Sequence, residues 1–224
     1  HSGVVSSYNA MNKIISKEIF IKNKIKTPKF LSIRKMEFKK NLIQKIIKNK
    51  RIKFPIVLKP INEGSSLGVK ICKNIKKLLR SISYLFKKYD ELLLEEYIGG
   101  QEIQVAIING KPLGAIELIP KRLFYDYKAK YTKEAKTEHV MPARISKKKY
   151  NEILSIAKKT HEALNCKGVT RSDFKFYKSK FYLLEINTQP GMTSLSLVPE
   201  IASYKGLIFE SLVEKILLDA SINR

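Results

Sequence analysis

Helices and antiparallel hairpins occur together in this chain, and they predict an α+β protein built as one large domain or two small lobes. Three observations carry that expectation. Apolar residues recur at helical spacing in three stretches, around 10–20, 38–47 and 75–86. Two segments alternate apolar and polar residues about tight turns, at Asn109-Gly110 and at Lys178-Ser179-Lys180. Finally, 224 residues with 44% hydrophobic side chains suffice for a sizeable core.

The elements follow in order. Ala10, Met11, Ile14, Ile15 and Ile19 make a helical face that ends at TPKF, before a short extended LSI. Phe38, Leu42, Ile43, Ile46 and Ile47 make a second stripe, and FPIVLK reads as a strand. A glycine- and serine-containing loop separates it from the strand GVKICK. A helix follows from Asn74, its N-cap, with Ile75, Leu78, Leu79, Ile82, Leu85 and Phe86 on one face. ELLLEEYI returns as a buried strand. After Gly99-Gly100, Ile103, Val105 and Ile107 alternate toward Asn109-Gly110, the preferred dipeptide of a two-residue hairpin turn, and LGAIELIP is the partner strand. Residues 120–138 show no sustained period and predict a long loop, a place where function concentrates. A helix over 146–164, a hairpin GVTRSDFKFY-KSK-FYLLEINT, a polar loop TQPGMTSLSLVPE and a closing helix LIFESLVEKILLD complete the chain.

A formal net charge of +24 would suit a nucleic-acid surface, but only 7 of the 44 basic residues are arginine and the lysines are scattered over helix faces and turns. No helix-turn-helix, zinc-finger or RNP-type pattern accompanies them, so solvated faces explain the charge better. No apolar run approaches a membrane span, and HSGVVSSYNA does not read as a signal peptide. Cys72 and Cys166 lack metal-ligand spacing and suit a reduced compartment; the cytosol is expected.

The last hairpin has an estimable register. With KSK as a three-residue loop centred on Ser179, Asp173 faces Glu185 and Arg171 faces Asn187, all four on one face of the sheet. Opposed carboxylates repel unless a cation joins them. Two acids and an amide, with positions left for phosphate oxygens, suit magnesium or manganese. A pair of exposed acids on a solvent face is the alternative. In FPIVLK, Lys59 shares a face with Pro55 and Val57, so its half-buried ammonium requires an anion such as a phosphate. Gly64 and Gly68 in the following loop let the backbone fold over a polyphosphate, although such a turn by itself says little.

In combination the motifs say more. KPINEGSSLGV, LLLEEYIGGQE, YDYKAKY, RSDF and LLEINTQPGMTSLSLVPE, in this order and spacing, closely resemble the D-alanine:D-alanine ligase family of peptidoglycan synthesis. The resemblance implies the ATP-grasp fold, two α+β lobes clasping ATP between antiparallel sheets, divided here at 1–97 and 98–224. Family members carry a further N-terminal lobe, and this sequence starts at the SGV segment where that lobe ends.

Residue by residue, the resemblance implies that Lys13, in MNK where the family usually has MDK, lies near the α-phosphate and Lys59 reaches the α/β-phosphates. Backbone groups of Glu96 and Ile98 read the adenine edge, Glu95 lies close by, and Glu102 accepts the ribose hydroxyls. Ser65 and Ser66 belong to a loop closing over phosphates and substrate. Lys130 meets the γ-phosphate, and Tyr131 closes toward Ser65. Asp173, Glu185 and Asn187 hold the metal, Arg171 and the backbone of Gly191 stabilise an oxyanion, and Ser196 with Leu197 receive the second D-alanine carboxylate. The expected cofactor is magnesium or manganese, two ions, with ATP and D-alanine as substrates. A homodimer is expected, with no nucleic-acid or membrane partner. The histidines are expected to be structural. The rival readings are a D-alanine:D-lactate ligase, against which Tyr131 speaks, another ATP-grasp carboxylate-amine ligase, and a non-catalytic basic binding module.

Overall fold

Residues 1–120 and 137–221 are described by the structure, a computed structural model. Two short helices, α1 (Val4–Met11) and α2 (Lys13–Lys22), open the chain where the apolar spacing predicts one. Asn12 makes the break. Its backbone is extended, and its side chain accepts from the N–H groups of Ile14 and Ile15 at 3.0 and 3.1 Å, capping α2. An aspartate at this position would cap equally well, so the MNK spelling costs the fold nothing.

The next four strands, β1 (Phe30–Arg34), β2 (Ile56–Pro60), β3 (Lys70–Cys72) and β4 (Glu91–Glu96), form an antiparallel sheet in the order β1-β4-β2-β3. Helices α3 (Lys40–Asn49) and α4 (Ile75–Leu85) cover one face, with Ile43, Ile47, Leu78 and Ile82 packing on Leu31, Ile56, Leu58 and Leu94. Asn74 caps α4 by accepting from Lys77 N–H at 2.9 Å.

A second antiparallel sheet holds β5 (Gln101–Ile108), β6 (Lys111–Ile119), β7 (Glu138–Val140), β8 (Val169–Tyr177) and β9 (Lys180–Asn187), in the order β7-β6-β5-β8-β9. One face packs Ile103, Val105, Phe174 and Leu183 on α5 (Lys147–Ala163). Ala10, Phe20 and Ile25 join that same cluster, so α1 and α2 side with the second sheet although they precede the first in sequence. At one end of the opposite face, Ala106, Ile108, Ile116 and Leu118 meet α6 (Leu197–Tyr204) and α7 (Phe209–Leu218). Among the described residues no helix covers the other end of that face, which looks toward the first sheet. Helix α6 takes up part of the segment expected as a polar loop: Leu197, Val198, Ile201 and Ala202 form a helical stripe, and Pro199 sits in the first turn, where it is tolerated. Cys72 and Cys166 are buried in different cores.

The β8–β9 hairpin has the expected pairs, Asp173 with Glu185 and Arg171 with Asn187. It reaches them by another route. The turn has two residues, Lys178 and Ser179, both left-handed at φ 48° and 58°, so Tyr177 pairs with Lys180. That register alone would place the acids off by one. A bulge between Asp173 and Phe174 inserts Leu184 as an extra residue on β9 and restores the offset. Its consequence is visible along β9: Phe181, Leu183 and Ile186 enter the core, while Leu184 and Glu185 in succession line the opposite side. The bulge lets an apolar strand end turn its acid outward.

Candidate active site between the two sheets

A cleft between the sheets is lined by Lys13, Val57, Lys59, Glu63, Gly64, Ser66, Glu95, Glu96, Ile98, Glu102, Asp173, Lys175, Leu184 and Glu185. Nine residues named from the sequence therefore meet in one place: Lys13, Lys59, Ser66, Glu95, Glu96, Ile98, Glu102, Asp173 and Glu185.

At its floor lies a chain of buried charges. All of β2 is buried, and alternation turns Val57 and Lys59 into the cleft. Lys59 Nζ sits 2.5 Å from Glu95 Oε1, and Lys17 Nζ sits 2.9 Å from Glu95 Oε2 and 2.6 Å from Thr27 Oγ1. The sequence left the anion for Lys59 to a phosphate; within the protein it is Glu95. One carboxylate nevertheless serves two ammonium groups, so the trio retains a net positive charge facing the cleft. Burial pushes the Glu95 carboxyl up, and Lys17 and Lys59 together override that and hold it below its ordinary value. Lys17 is 0% exposed, and burial lowers its ammonium from 10.5 to about 8 despite Glu95. Lys13, the first residue of α2, donates to Glu63 O at 2.5 Å and lies 4.0 Å from Glu185 Oε2; burial lowers its pKa as well. Lys17 was not singled out from the sequence. The available signal was its place four residues after Lys13, on the same face of the same helix.

The phosphate-loop candidate is a tight turn. Leu67 N–H donates to Gly64 O at 2.9 Å, and the central residues Ser65 and Ser66 are both left-handed, at φ 49° and 60°. Such backbone is unfavourable for serine, and strain of this kind gathers at functional loops. Gly68, at φ 72°, fits against Pro60, where a Cβ would come within 2.8 Å of the ring.

At the adenine-edge candidates, Glu96 N–H donates to Lys29 O at 2.9 Å and Tyr97 N–H to Pro55 O at 3.0 Å, which fixes the end of β4 at the cleft rim. Glu102 on β5 stands across from Lys175 on β8, and Gln104 across from Asp173.

Asp173 is 5% exposed and takes both arms of Arg171, Nε to Oδ1 at 2.8 Å and Nη2 to Oδ2 at 3.0 Å; Asn187 Nδ2 reaches Oδ2 at 3.5 Å. Two carboxylates and an amide oxygen form a hard donor set, and Asp173 Oδ1, which accepts from Arg171 Nε, retains a second lone pair. Among the described residues no cluster of three or more His, Cys, Asp or Glu side chains could by itself hold a metal ion. By donor chemistry, two carboxylates and an amide suit a magnesium-like ion that takes its remaining ligands from phosphates and water.

Among the described residues, Gly191, Ser196 and Leu197 do not line the cleft. Gly191 and Ser196 close a small loop after β9: Ser196 Oγ accepts from Thr193 N–H at 3.0 Å, and a Cβ on Gly191 would meet that oxygen at 2.8 Å. Leu197 buries its side chain in the core under α6, so what it offers at the loop is the first amide of that helix. Lys130 and Tyr131 lie outside the described residues. His161 donates to or accepts from Thr170 Oγ1 at 2.8 Å in the core and is structural; His139 pairs with Glu200 Oε2 at 2.7 Å near α6.

Comparison with known proteins agrees with this geometry. A family model described as the D-ala D-ala ligase C-terminus matches residues 19–218. The D-alanine–D-alanine ligase of Pelagibacter ubique is 59% identical over 224 residues, spanning 100% of this chain and 72% of that protein. That of Pelobacter propionicus is 41% identical, with 99% and 70% covered. The crystal structure of the Bacillus anthracis enzyme complexed with ATP superposes with a TM-score of 0.82 at 30% identity, covering 97% of this chain and 68% of that one. Two antiparallel sheets facing each other across a lysine- and carboxylate-lined cleft thus have a name: the fold is ATP-grasp, and the chain belongs to the D-alanine–D-alanine ligase family.

Proposed function

We propose that this chain carries the nucleotide, metal and oxyanion groups of an enzyme that joins two D-alanines at the expense of ATP, forming a carbon-nitrogen bond for peptidoglycan precursors. The observation that supports it most is the convergence of Lys13, Lys59, Asp173 and Glu185 on one cleft between the sheets. In this reading the carboxylate of one D-alanine attacks the γ-phosphate, giving an acyl phosphate and ADP. The amine of the second D-alanine attacks the acyl carbon, and phosphate leaves.

Each step develops charge on oxygen atoms, so oriented cations and N–H donors are the effective catalysts and no protein nucleophile is needed. Lys13 and Lys59 hold the α- and β-phosphates, with the shared Glu95 fixing the Lys59 ammonium. Lys130 meets the γ-phosphate. Glu96 and Ile98 receive the adenine edge, and Glu102 the ribose hydroxyls. Asp173, Glu185 and Asn187 hold magnesium or manganese, in one or two ions, which when bound withdraws electron density from the phosphoryl oxygens. Arg171 and the Gly191 amide face the oxyanion of the tetrahedral intermediate. Ser196 and the Leu197 amide receive the carboxylate of the second D-alanine. The turn at Ser65 and Ser66 acts together with Tyr131 to exclude water from the acyl phosphate.

A cytosolic location fits the ATP requirement and two buried, unpaired cysteines; among the described residues no helix is long and apolar enough to cross a membrane. A homodimer is part of the same proposal and is checked by sedimentation. The function is tested by incubating the protein with ATP, magnesium and D-alanine, following ADP release and identifying the product by mass. D-Alanine-dependent ADP release with stoichiometric D-alanyl-D-alanine is expected when an N-terminal lobe like that of the family is present, whereas residues 1–224 by themselves should bind ATP-magnesium and form the dipeptide barely. ATP turnover indifferent to D-alanine would overturn the proposal.

A further inference from the structure

The cleft contains one ion pair that the roles above leave half unused. Lys175 on β8 stands directly across from Glu102 on β5, with Nζ 2.9 Å from Oε2 and the two side chains only 15% and 11% exposed. Lys175 follows Asp173 by two residues and shares its face, about 7 Å along the strand. The distance from the metal-site acid to this pair therefore matches the reach from the phosphates of a nucleotide to its sugar. Cross-strand lysine-glutamate pairs on solvent faces contribute little. This one lies in the wall of a binding cleft, where its effect falls on whatever Glu102 binds.

A glutamate has three side-chain torsions, and an acid meant to accept from a vicinal diol loses that freedom on binding unless something fixes it beforehand. Lys175 fixes it. The ammonium engages Oε2, which sets the plane of the carboxylate and leaves Oε1 to accept from a hydroxyl. We propose that Lys175 is a positioning residue for sugar recognition: by holding Glu102 it makes the cleft select ribonucleotides over deoxyribonucleotides. This rests on the reading of the cleft as an ATP site with Glu102 toward the ribose, and adds to it a residue that selects rather than reacts.

The test compares binding of ATP, 2′-deoxy-ATP and 3′-deoxy-ATP, each with magnesium, by competition against a fluorescent ATP analogue. Wild type, K175M, K175R, E102Q and the K175M/E102Q double variant are measured, with K175Q in place of K175M should the latter not fold. Wild type is expected to prefer ATP over at least one deoxy analogue. K175M should weaken ATP about tenfold, or about 1.4 kcal/mol, and the disfavoured analogue far less, so that the preference collapses. K175R should restore it, and K175M should add little once Glu102 is Gln. A K175M protein with the wild-type preference intact, or one that binds all three nucleotides equally less well, overturns the role of Lys175 alone. A wild type that binds no ATP overturns the reading of the cleft itself.

Discussion

Replacing Lys17 by methionine isolates the buried charge beneath the nucleotide cleft. Lys17 is fully buried against Glu95, Thr27 and the ring of Phe30, and its ammonium titrates at about 8 rather than 10.5. Each unit of displacement corresponds to about 1.4 kcal/mol, so holding the charged form in the fold costs about 3 kcal/mol relative to the unfolded chain. The folded pKa is depressed, so the cost is fully present below pH 8. Between pH 8 and 10.5 the folded protein has released a proton that the unfolded chain still holds, and stability from this group rises with pH. Methionine has no such proton and leaves Glu95 paired with Lys59. Urea denaturation of both proteins from pH 7 to pH 10.5 should therefore give a difference curve, wild type minus variant, that climbs by about 2 to 3 kcal/mol with its steepest part near pH 9. Other ionisable groups largely cancel in the difference. A flat or falling curve would show that Lys17 is not held charged and buried as described.

The two opposed acids should behave differently without metal. Glu185→Gln removes a charge that faces Asp173 but also attracts Lys13, 4.0 Å away, so the two effects oppose and the metal-free melting temperature should change little. Asp173→Asn, in contrast, takes the acceptor from the Arg171 fork and should cost about 1.5 to 3 kcal/mol. Both should lose magnesium-dependent turnover, and equal melting of the two variants by calorimetry would refute the asymmetry. Gly68→Ala places a Cβ 2.8 Å from Pro60 at a left-handed backbone position, so the 64–68 turn must shift. A cost of roughly 1 to 2 kcal/mol with a rise in KM for ATP is expected, and unchanged values of both would detach that turn from the nucleotide. Lys59→Met leaves Glu95 with Lys17 alone and makes the trio neutral, so ATP affinity by calorimetry should fall at least tenfold. Unaltered affinity would remove Lys59 from the phosphate site.

The hairpin shows both the reach and the limit of sequence reading. Centring the turn on Ser179 was enough to pair Asp173 with Glu185, yet the three-residue turn assumed for it is wrong, and a bulge at Leu184 restores the offset. Bulges arise from a conflict between the two faces, here apolar Phe181 and Leu183 against acidic Glu185, and that conflict is visible in FYLLEIN once both faces are written out. The split at Asn12 was equally open to view, since asparagine is a strong N-cap. Lys17 and Lys175 were hidden among 44 basic residues, because in so lysine-rich a chain identity alone distinguishes nothing. Only burial and the partners Glu95 and Glu102 separate them from solvated neighbours. Which lobe receives the N-terminal helices was beyond local pattern altogether, as it depends on long-range packing of Ala10 and Phe20 with the second sheet.

That the inter-sheet cleft seats ATP and its metal is tested most directly by anomalous diffraction from crystals grown with manganese and a non-hydrolysable ATP analogue. Manganese peaks should appear within coordination distance of Asp173, Glu185 and Asn187, with the triphosphate against Lys13 and Lys59 and the base beside Val57 and Ile98. Manganese bound away from those three side chains, or a nucleotide seated elsewhere on this basic surface, would contradict it.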